Sequence, residues 1–113
     1  MTHEALDGIT PELYEHTLSA FDTLNRFNKN LYIAGNGGSA AIANHFVCDI
    51  SKGPGKGHLH RLRAHSLSAN PSMLTAIAND IGFEETISFQ LATYVNRGDA
   101  VILISSSGKS PNI

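Results

Sequence analysis

The chain has 113 residues, 42% of them hydrophobic and 16% charged, which is enough for one small core but not for two domains. Its net charge of −2 excludes the global basic field that non-specific nucleic-acid binding requires. Cys48 is the single cysteine, so an intrachain disulfide is excluded, and we expect a cytoplasmic protein without a secretion signal or a membrane span. We predict one domain over residues 1–113.

An N-terminal helical segment is predicted over residues 1–29. Thr10 followed by Pro11 and Glu12 is typical of a helix start, because proline is tolerated at the first helical position and acids suit the first turn. Apolar and small side chains then recur at intervals of three to four residues, which predicts a helical face that packs on another element: Leu13, Thr17, Ala20, Leu24 and Phe27.

The sheet-and-helix part is predicted over residues 30–113 and begins with a short apolar run. Residues 31–34 predict a buried strand, and residues 35–39, Gly-Asn-Gly-Gly-Ser, a tight loop that we call the glycine loop. Ser39 is expected to cap a helix that ends near Ser51. Residues 51–60 contain three glycines and no hydrophobic periodicity, which predicts a mobile surface loop.

The rest of the chain alternates predicted strands and helices. Residues 62–68 are a weaker strand candidate, and Ser72 is expected to cap a helix that is interrupted at residues 79–82. Residues 84–95 are predicted to be helical, and residues 100–104 are the clearest strand. That strand is apolar at every position, which is typical of a central parallel strand covered on both faces by helices. The alternation predicts an α/β layered fold with a parallel sheet.

Two of the predicted strands run directly into loops rich in glycine and serine. These loops fall at the carboxyl edge of the predicted sheet, where open α/β sheets bind ligands. In the glycine loop the backbone can approach a ligand closely, and the following helix directs its free N–H groups to the same place. Such a site suits a phosphate or a polyhydroxyl chain. The alternative is a tight strand-to-helix turn that binds nothing.

The second loop, residues 105–110, follows the last strand and is called the serine loop. It places the ammonium of Lys109 among several backbone donors and four hydroxyls, those of Ser105, Ser106, Ser107 and Ser110. Donors without acidic residues suit a phosphate monoester. A flexible serine loop without a ligand is the alternative interpretation.

Two nucleotide-binding motifs nearly match these loops and fail. Gly35, Gly37 and Ala40 fit the G-x-G-x-x-A form of the dinucleotide fingerprint, but no Asp or Glu lies about 20 residues further on. Residues 108–110, Gly-Lys-Ser, resemble the end of a P-loop, but its first glycine would fall at Leu103, inside the strand. We therefore expect no nucleotide cofactor.

His45 and Asp49 lie four residues apart in the helix that follows the glycine loop. This spacing places both side chains on one helical face, one turn apart. A histidine and a carboxylate in this arrangement can share a divalent metal or divide general acid and general base work. An exposed surface pair is the alternative.

Several of these motifs, in order and spacing, resemble the phosphoheptose isomerases of the sugar isomerase (SIS) domain family. The resemblance covers about residues 10–113 and implies a three-layer αβα sandwich with a parallel sheet, flavodoxin-like and doubly wound, preceded by an N-terminal helix. It rests on the glycine loop, His45-Phe46, residues 74–80 (Leu-Thr-Ala-Ile-Ala-Asn-Asp) with Gly82-Phe83, Gly98-Asp99, and the serine loop with Pro111-Asn112.

The resemblance implies an aldose–ketose isomerisation of sedoheptulose 7-phosphate to D-glycero-D-manno-heptose 7-phosphate through an enediol, by a homotetramer. It implies that Asp49 and His45 are catalytic and hold a zinc ion. It also implies a set of substrate-binding residues, in which the serine hydroxyls hold the phosphate: Asn36, Gly37, Gly38, Ser39, Asp49, Asn70, Ser105, Ser106, Ser107 and Ser110.

The chain departs from the family pattern at several positions. Asp49 stands where the family has a catalytic glutamate, and a misplacement of about 1 Å can cost roughly a hundredfold in rate. Asn70 stands where the family has an aspartate, and Lys109 replaces an asparagine. The resemblance stops after about the third strand. We therefore expect the N-terminal portion of an SIS domain, truncated or a fragment, that binds ligand but needs the remaining half for turnover.

Two further functions are weighed against the isomerase. One is a non-catalytic SIS module that senses a sugar phosphate or docks on a partner protein, such as a replication initiator, which the altered Asp49 and Asn70 favour. The other treats basic side chains near residues 52–65 as a patch for an anionic partner: Lys52, Lys56, His58, His60, Arg61, Arg63 and His65. Four permanent charges in a glycine-rich segment are more typical of a solvated surface.

Overall fold

The structure is a computed structural model that describes residues 10–53 and 61–113. Its three strands form one parallel sheet in the order β2-β1-β3, which confirms the predicted α/β fold. The elements follow one another along the chain as α1 (Pro11–Arg26), β1 (Asn30–Gly35), α2 (Gly38–Lys52), β2 (Arg63–Ser66), α3 (Pro71–Asp80), a 3₁₀ turn (Phe83–Glu85), α4 (Ser88–Tyr94) and β3 (Ala100–Ile104).

The central strand of the sheet is β1. Leu31 and Ile33 are only 1% and 0% exposed, because β1 has a strand on each side and helices on both faces. Residues 100–104 form a strand as predicted, and it lies at the edge of the three described strands. The predicted cover of helices on both faces is incomplete within the described residues. β3 lies beside β1, and its residues Val101 and Leu103 are 39% and 46% exposed, since adjacent side chains of a strand point to opposite faces and one face of β3 is open.

One face of the sheet packs against α2 and the end of α1. Val47, Ile50 and the inward residues of β3 pack around this core. Its buried residues come from the sheet, from α1 and α2, and from the residue before β2: Leu24, Leu31, Ile33, Ala43, Leu62 and Ala64. The apolar face predicted for the helix after the glycine loop is confirmed here, because Ala43 is fully buried and Val47 and Ile50 contact the core.

The other face of the sheet packs against α3 and α4. Tyr32 and Ala34 of β1 contact Leu67 and Ile87, and Leu74 and Leu91 pack around this second core. The sheet therefore has a helical layer on each side, as the predicted three-layer αβα sandwich requires.

The first helix meets the core only near its end. It begins as predicted, since Thr10 Oγ1 accepts a hydrogen bond from Leu13 N (3.1 Å) and Pro11 follows. Leu24 is buried, but apolar side chains nearer its start stay exposed, including Leu13 at 51% and Leu18 at 49%. The expectation that the whole apolar face packs is therefore correct only for the end of α1 within the described residues.

Several predicted boundaries are corrected by the structure. Helix α2 begins at Gly38 with Gly37 as its N-cap, so Ser39 lies inside the helix and does not cap it. The cap of α3 is Asn70, not Ser72, because the Asn70 side chain accepts from Met73 N (3.1 Å) and Pro71 can then occupy the first helical position.

The third correction concerns residues 84–95, which do not form one helix. A 3₁₀ turn precedes α4, and the Thr86 hydroxyl donates to the Phe83 carbonyl (2.8 Å), a local bond that competes with helix continuation. The predicted loop at residues 51–60 also begins later than expected, because α2 runs to Lys52. Its residues 54–60, with part of the basic cluster, lie outside the described residues.

The amino-terminal edge of the sheet is held by Asp99. Its carboxylate accepts from Asn30 N (2.9 Å) and Asn96 N (2.7 Å), which joins the start of β1 to the turn before β3. Burial acts to raise the pKa of Asp99, but the two backbone donors and the nearby Lys29 charge lower it below its usual value. Among the described helices, none has the length and apolar character to cross a membrane.

Candidate functional site

The glycine loop leaves the buried end of β1 and turns at once into α2. Gly37 has φ +52° and ψ −120°, a conformation that side-chain-bearing residues rarely adopt. A Cβ at Gly35 would lie 2.7 Å from the backbone of Ser39, so the strand and the helix approach as closely as glycine permits. Gly37 and Gly38 are exposed. The positive dipole end of a 15-residue helix therefore lies at this exposed loop, where Ser39 N and Ala40 N donate to the Asn36 carbonyl (2.8 and 3.2 Å).

The serine loop is folded on its own hydroxyls. Ser105 Oγ lies 3.2 Å from Ser110 Oγ and 3.4 Å from Ser107 Oγ, and it accepts from Gly108 N (3.0 Å). Ser107 Oγ accepts from Lys109 N (3.1 Å). Three of the four predicted hydroxyls are thus brought together, whereas Ser106 is exposed and makes no contact with them within the described structure. The loop is therefore a turn held by its own hydrogen bonds and not a flexible connection.

The two loops lie side by side at the carboxyl edge of the sheet. Gly35 pairs with Ile104 in the parallel register, so both loops start at the same height. Further on, the chain returns to the glycine loop, where Asn36 and Asn112 exchange two amide hydrogen bonds of 2.7 and 2.8 Å. The prediction that the two loops converge at one sheet edge is confirmed. Asn112 was not predicted as a site residue.

Ser68 is a second residue of the site that the sequence did not reveal. It follows β2, and its hydroxyl donates to the Gly35 carbonyl (2.7 Å) and accepts from Gly35 N (3.0 Å). The glycine loop is therefore fixed from the side of β2 as well as from the side of β3. The available signal was position, since Ser68 ends a predicted strand at the edge where the other two loops lie.

A cavity of about 280 Å³ opens beside the glycine loop. Its lining is mostly apolar and comes from the glycine loop, α3, the 3₁₀ turn and the end of the chain, with Asn36, Ser68, Leu74, Thr86 and Asn112 among its residues. This volume is near the lower end of the range of about 300 to 1,000 Å³ that is usual for small-molecule sites. The size suits a single sugar phosphate better than a dinucleotide.

Asn70 also lies at this edge, after β2. Its side-chain oxygen accepts from Met73 N (3.1 Å) as the cap of α3, and the residue is exposed. The Asn70 side chain, which we predicted to contact the sugar, therefore already uses its oxygen as a helix cap. Contact between Asn70 and a sugar hydroxyl stays a prediction.

His45 and Asp49 are neighbours on the exposed face of α2. His45 Nε2 lies 3.3 Å from Asp49 Oδ2, and the two side chains are 79% and 66% exposed. The predicted spacing on one helical face is confirmed. No cluster of three or more His, Cys, Asp or Glu side chains occurs among residues 10–53 and 61–113. The pair supplies two of the four ligands that a zinc site usually needs, so the described residues alone do not form one.

These features define an α/β domain of the parallel-sheet class, with the glycine loop and the serine loop at the carboxyl edge. Residues 14–113 match the family described as the SIS domain. This match extends over most of the chain and includes both loops. The chain belongs to the SIS domain family.

The relatives within this family carry a more specific name. A phosphoheptose isomerase from Geobacter sp. (strain M21) is 40% identical over 111 residues, which are 96% of this chain and 56% of that protein. The solved phosphoheptose isomerases from Neisseria gonorrhoeae and Francisella tularensis superpose with TM-scores of 0.82 and 0.85, at 31% and 25% identity. Each superposition covers 96% of this chain, and 55% and 56% of the respective structures. The chain thus spans about half the length of the relatives that it matches.

Proposed function

We propose that this chain binds a sugar phosphate and contributes to its isomerisation, with sedoheptulose 7-phosphate as substrate and D-glycero-D-manno-heptose 7-phosphate as product. The observation that carries the proposal is the meeting of the glycine loop and the serine loop at one edge of the sheet, joined by the Asn36–Asn112 amide pair. The names of the relatives give the substrate class.

The serine loop supplies the chemistry that a phosphate needs. The hydroxyls of Ser107 and Ser110 lie 3.4 and 3.2 Å from that of Ser105, and a hydroxyl can turn its proton toward an incoming oxygen. Lys109 adds a permanent positive charge, and the described segment from residue 105 to 113 contains no acid. A phosphate monoester would replace hydrogen bonds that the loop now makes with itself.

The glycine loop is the proposed site for the sugar chain. The exposed Gly37 and Gly38 let hydroxyls reach the backbone, and Ser39 lies in the first turn of α2 beside them. The Asn36 side chain is paired with Asn112, so the proposed contact of Asn36 with the sugar is made by its backbone. These assignments agree with the resemblance on which the substrate-binding residues were predicted.

For the chemical step we propose Asp49 as general base and His45 as its partner. A carboxylate at this point would take a proton from the carbon next to the carbonyl while the carbonyl oxygen gains a proton, which gives an enediol. The carboxylic acid then returns its proton to the former carbonyl carbon, and the hydroxyl on the first carbon loses its proton and becomes the new carbonyl. The 3.3 Å separation of His45 Nε2 and Asp49 Oδ2 allows a proton to be shared between the two groups. Asp49→Asn removes the base and is expected to abolish conversion while binding persists.

The first experiment measures the thermal shift with sedoheptulose 7-phosphate, using inorganic phosphate as the ligand control. A ligand that binds only the folded state raises the midpoint, by an amount that grows with ligand concentration. Ser105→Ala and Ser107→Ala are expected to reduce the shift. Ser88→Ala, which removes an exposed hydroxyl bonded to Glu85, serves as the matched control. A shift that survives both loop substitutions would contradict the proposed phosphate site.

Turnover is tested on the chain alone and on the chain joined to the carboxyl-terminal half of a relative. The joined protein is expected to convert sedoheptulose 7-phosphate, and the Asp49→Asn form is expected to bind it without product. Conversion by the Asp49→Asn protein would refute the role given to Asp49, and it would leave the binding result intact.

A sugar-phosphate sensor without turnover is the second candidate. It is favoured by Asn70, which replaces the aspartate expected in the family and whose side chain caps α3. A sensor is expected to show the thermal shift and a ligand-dependent change in assembly, with no product from the joined protein. Detection of any heptose product rejects this function.

The assembly expected from the resemblance is a homotetramer in the cytoplasm. It is supported by the exposed apolar side chains of α1, among them Leu13, Tyr14 and Leu18, which favour contact between copies. Light scattering on the wild type and on Leu18→Lys tests this, with loss of the larger species expected in the variant. Zinc at His45 and Asp49 stays a prediction, which stoichiometric metal analysis of the joined protein decides.

A further inference from the structure

A buried polar network joins the carboxyl ends of all three strands. Gln90 Nε2 donates to the carbonyl of Leu67 just after β2 (2.9 Å) and to the carbonyl of Thr86 (2.8 Å). Asn112 Nδ2 donates to Thr86 Oγ1 (3.1 Å) and to Asn36 Oδ1 (2.8 Å). Gln90, Thr86 and Asn112 are 5%, 2% and 7% exposed. The described residues contain no buried side-chain polar atom without a partner, so the network is fully satisfied.

We propose that Asn112 and Thr86 are positioning residues that hold the serine loop against the glycine loop before a ligand binds. The inference rests on the proposed function for its ligand, but the mechanical link between the loops is measurable without one. Thr86 borders the cavity beside the glycine loop, but it is only 2% exposed and its hydroxyl is already bonded to the Phe83 carbonyl and to Asn112. The side-chain hydrogen bond that links Thr86 to the end of the serine loop runs through Asn112, and exchange measured without ligand reports on this link alone.

The serine loop is a short span with two anchors. At its start Ile104 is held by pairing with Gly35, and beyond its end Asn112 is held by Asn36 and Thr86. If the second anchor is removed, the loop is held by its internal hydrogen bonds and by Ile113, which packs against the second core and donates to the Ser110 carbonyl (3.1 Å). The loop serines are partly or fully exposed to water, which competes for the internal bonds. Asn112 therefore sets how well the phosphate-binding hydroxyls are ordered.

Ordering the loop in advance increases affinity, because a ligand does not then have to offset the entropy lost by fixing several residues. The loss of one net hydrogen bond in such a network corresponds to about a tenfold change in the equilibrium between ordered and open loop. We expect the same factor in two measurements, the exchange rate of loop amides and the dissociation constant of the ligand.

The first measurement is amide hydrogen exchange of the wild-type chain and four variants without ligand. The reporters are Gly108 N and Lys109 N, which are bonded to serine hydroxyls within the loop. Asn112→Ala and Thr86→Val are expected to raise exchange at both amides about tenfold. Thr86→Ser keeps the hydroxyl and is expected to restore the wild-type rate.

The fourth variant, Thr93→Val, is the matched control, because it removes a hydroxyl bonded to the Phe89 carbonyl in the next helix, away from both loops. Unchanged exchange at Gly108 and Lys109 in both Asn112→Ala and Thr86→Val would overturn the proposal. If Asn112→Ala does not fold, the Thr86→Val and Thr86→Ser pair decides the question, since both differ from wild type at one buried side chain.

The second measurement is the dissociation constant for sedoheptulose 7-phosphate at a temperature where each protein is folded. Thr86→Val is expected to bind about tenfold more weakly and Thr86→Ser as wild type. Equal affinity of Thr86→Val and wild type would overturn the positioning role. If the wild type itself does not bind, the proposed function fails, and the exchange rates still decide whether the network holds the loop.

Discussion

Replacing Asp99 tests the hydrogen bonds that join the start of β1 to the turn before β3. These bonds lie at the edge of the sheet opposite the glycine loop and the serine loop. The carboxylate accepts two backbone hydrogen bonds, from Asn30 N (2.9 Å) and Asn96 N (2.7 Å). Hydrogen bonds to a charged group contribute about 1.5 to 3 kcal/mol each, and partial exposure places these two at the lower end. Asp99→Asn keeps one acceptor oxygen and turns an amide NH₂ toward the other donor. We expect a loss of about 2 kcal/mol in the free energy of unfolding at pH 7.

The effect is expected to depend on pH with a definite sign. The pKa of Asp99 is lower in the folded state than in the unfolded chain, so the unfolded state binds more protons as the carboxyl titrates. The stabilisation is then complete above the unfolded pKa of about 3.9 and is lost as pH falls through the folded pKa. The difference between wild type and Asp99→Asn should therefore shrink in acid.

Urea unfolding at about pH 7, 5, 4 and 3 measures this difference. Asp22→Asn is the matched control, because it breaks an exposed ion pair with Arg26 and is expected to cost less than about 0.5 kcal/mol. A difference between wild type and Asp99→Asn that stays constant from pH 7 to pH 3 would refute the assignment of a lowered pKa to Asp99.

Three further predictions concern stability and are read from urea midpoints. Gly35→Ala is expected to cost about 3 kcal/mol because its Cβ would meet backbone at 2.7 Å, whereas Gly38→Ala, with nothing within 4 Å, should be neutral or stabilising; equal effects would contradict the geometry. Ile33→Ala should cost about 3 kcal/mol at a fully buried site, and a cost under 1 kcal/mol would refute its place in the core. Asn70→Ala should cost about 1 kcal/mol as the loss of a cap and Ser72→Ala less than about 0.5, and the reverse order would favour Ser72 as the cap.

The sequence predicted the elements that depend on local pattern. The start of α1 at Thr10 and Pro11 follows from capping chemistry, and short apolar runs predicted the strands at residues 31–34 and 100–104. The structure extends the first of these strands to residues 30–35. The convergence of the two loops was also predictable, because parallel strands end at the same edge of a sheet.

What the sequence did not predict depends on contacts between distant residues. The apolar run of β3 indicates burial but does not reveal which neighbours cover each face, so the exposure of Val101 and Leu103 at the edge of the described strands was not predicted. Buried polar residues were missed for the same reason. Gln90 falls among the inward-facing Ile87 and Leu91 at helical spacing, which is a usable signal, whereas the link between Asn36 and Asn112 joins positions 76 residues apart.

The helix caps show a third limit of sequence-based prediction, because two nearby residues can each be the N-cap of one helix. Asn70 and Ser72 both belong to the types that cap helices, and the choice between them depends on where proline can sit. With Pro71 at the first helical position, only Asn70 directly precedes the helix. In the glycine loop the same ambiguity was resolved by backbone conformation, because Gly37 accepts a positive φ that a serine would resist.

The closure of the serine loop at both ends has a consequence for how this site can diversify. The span from Ile104 to Asn112 is fixed in length by the sheet register at one end and by the amide pair at the other. Side chains between these points can change without moving either end, while an inserted residue would have to displace one of them. The side chains of this segment can therefore be replaced without a change in its length or in the position of its ends. Substitution, and not insertion, is the change by which a domain of this type would acquire a ligand with different charge or size.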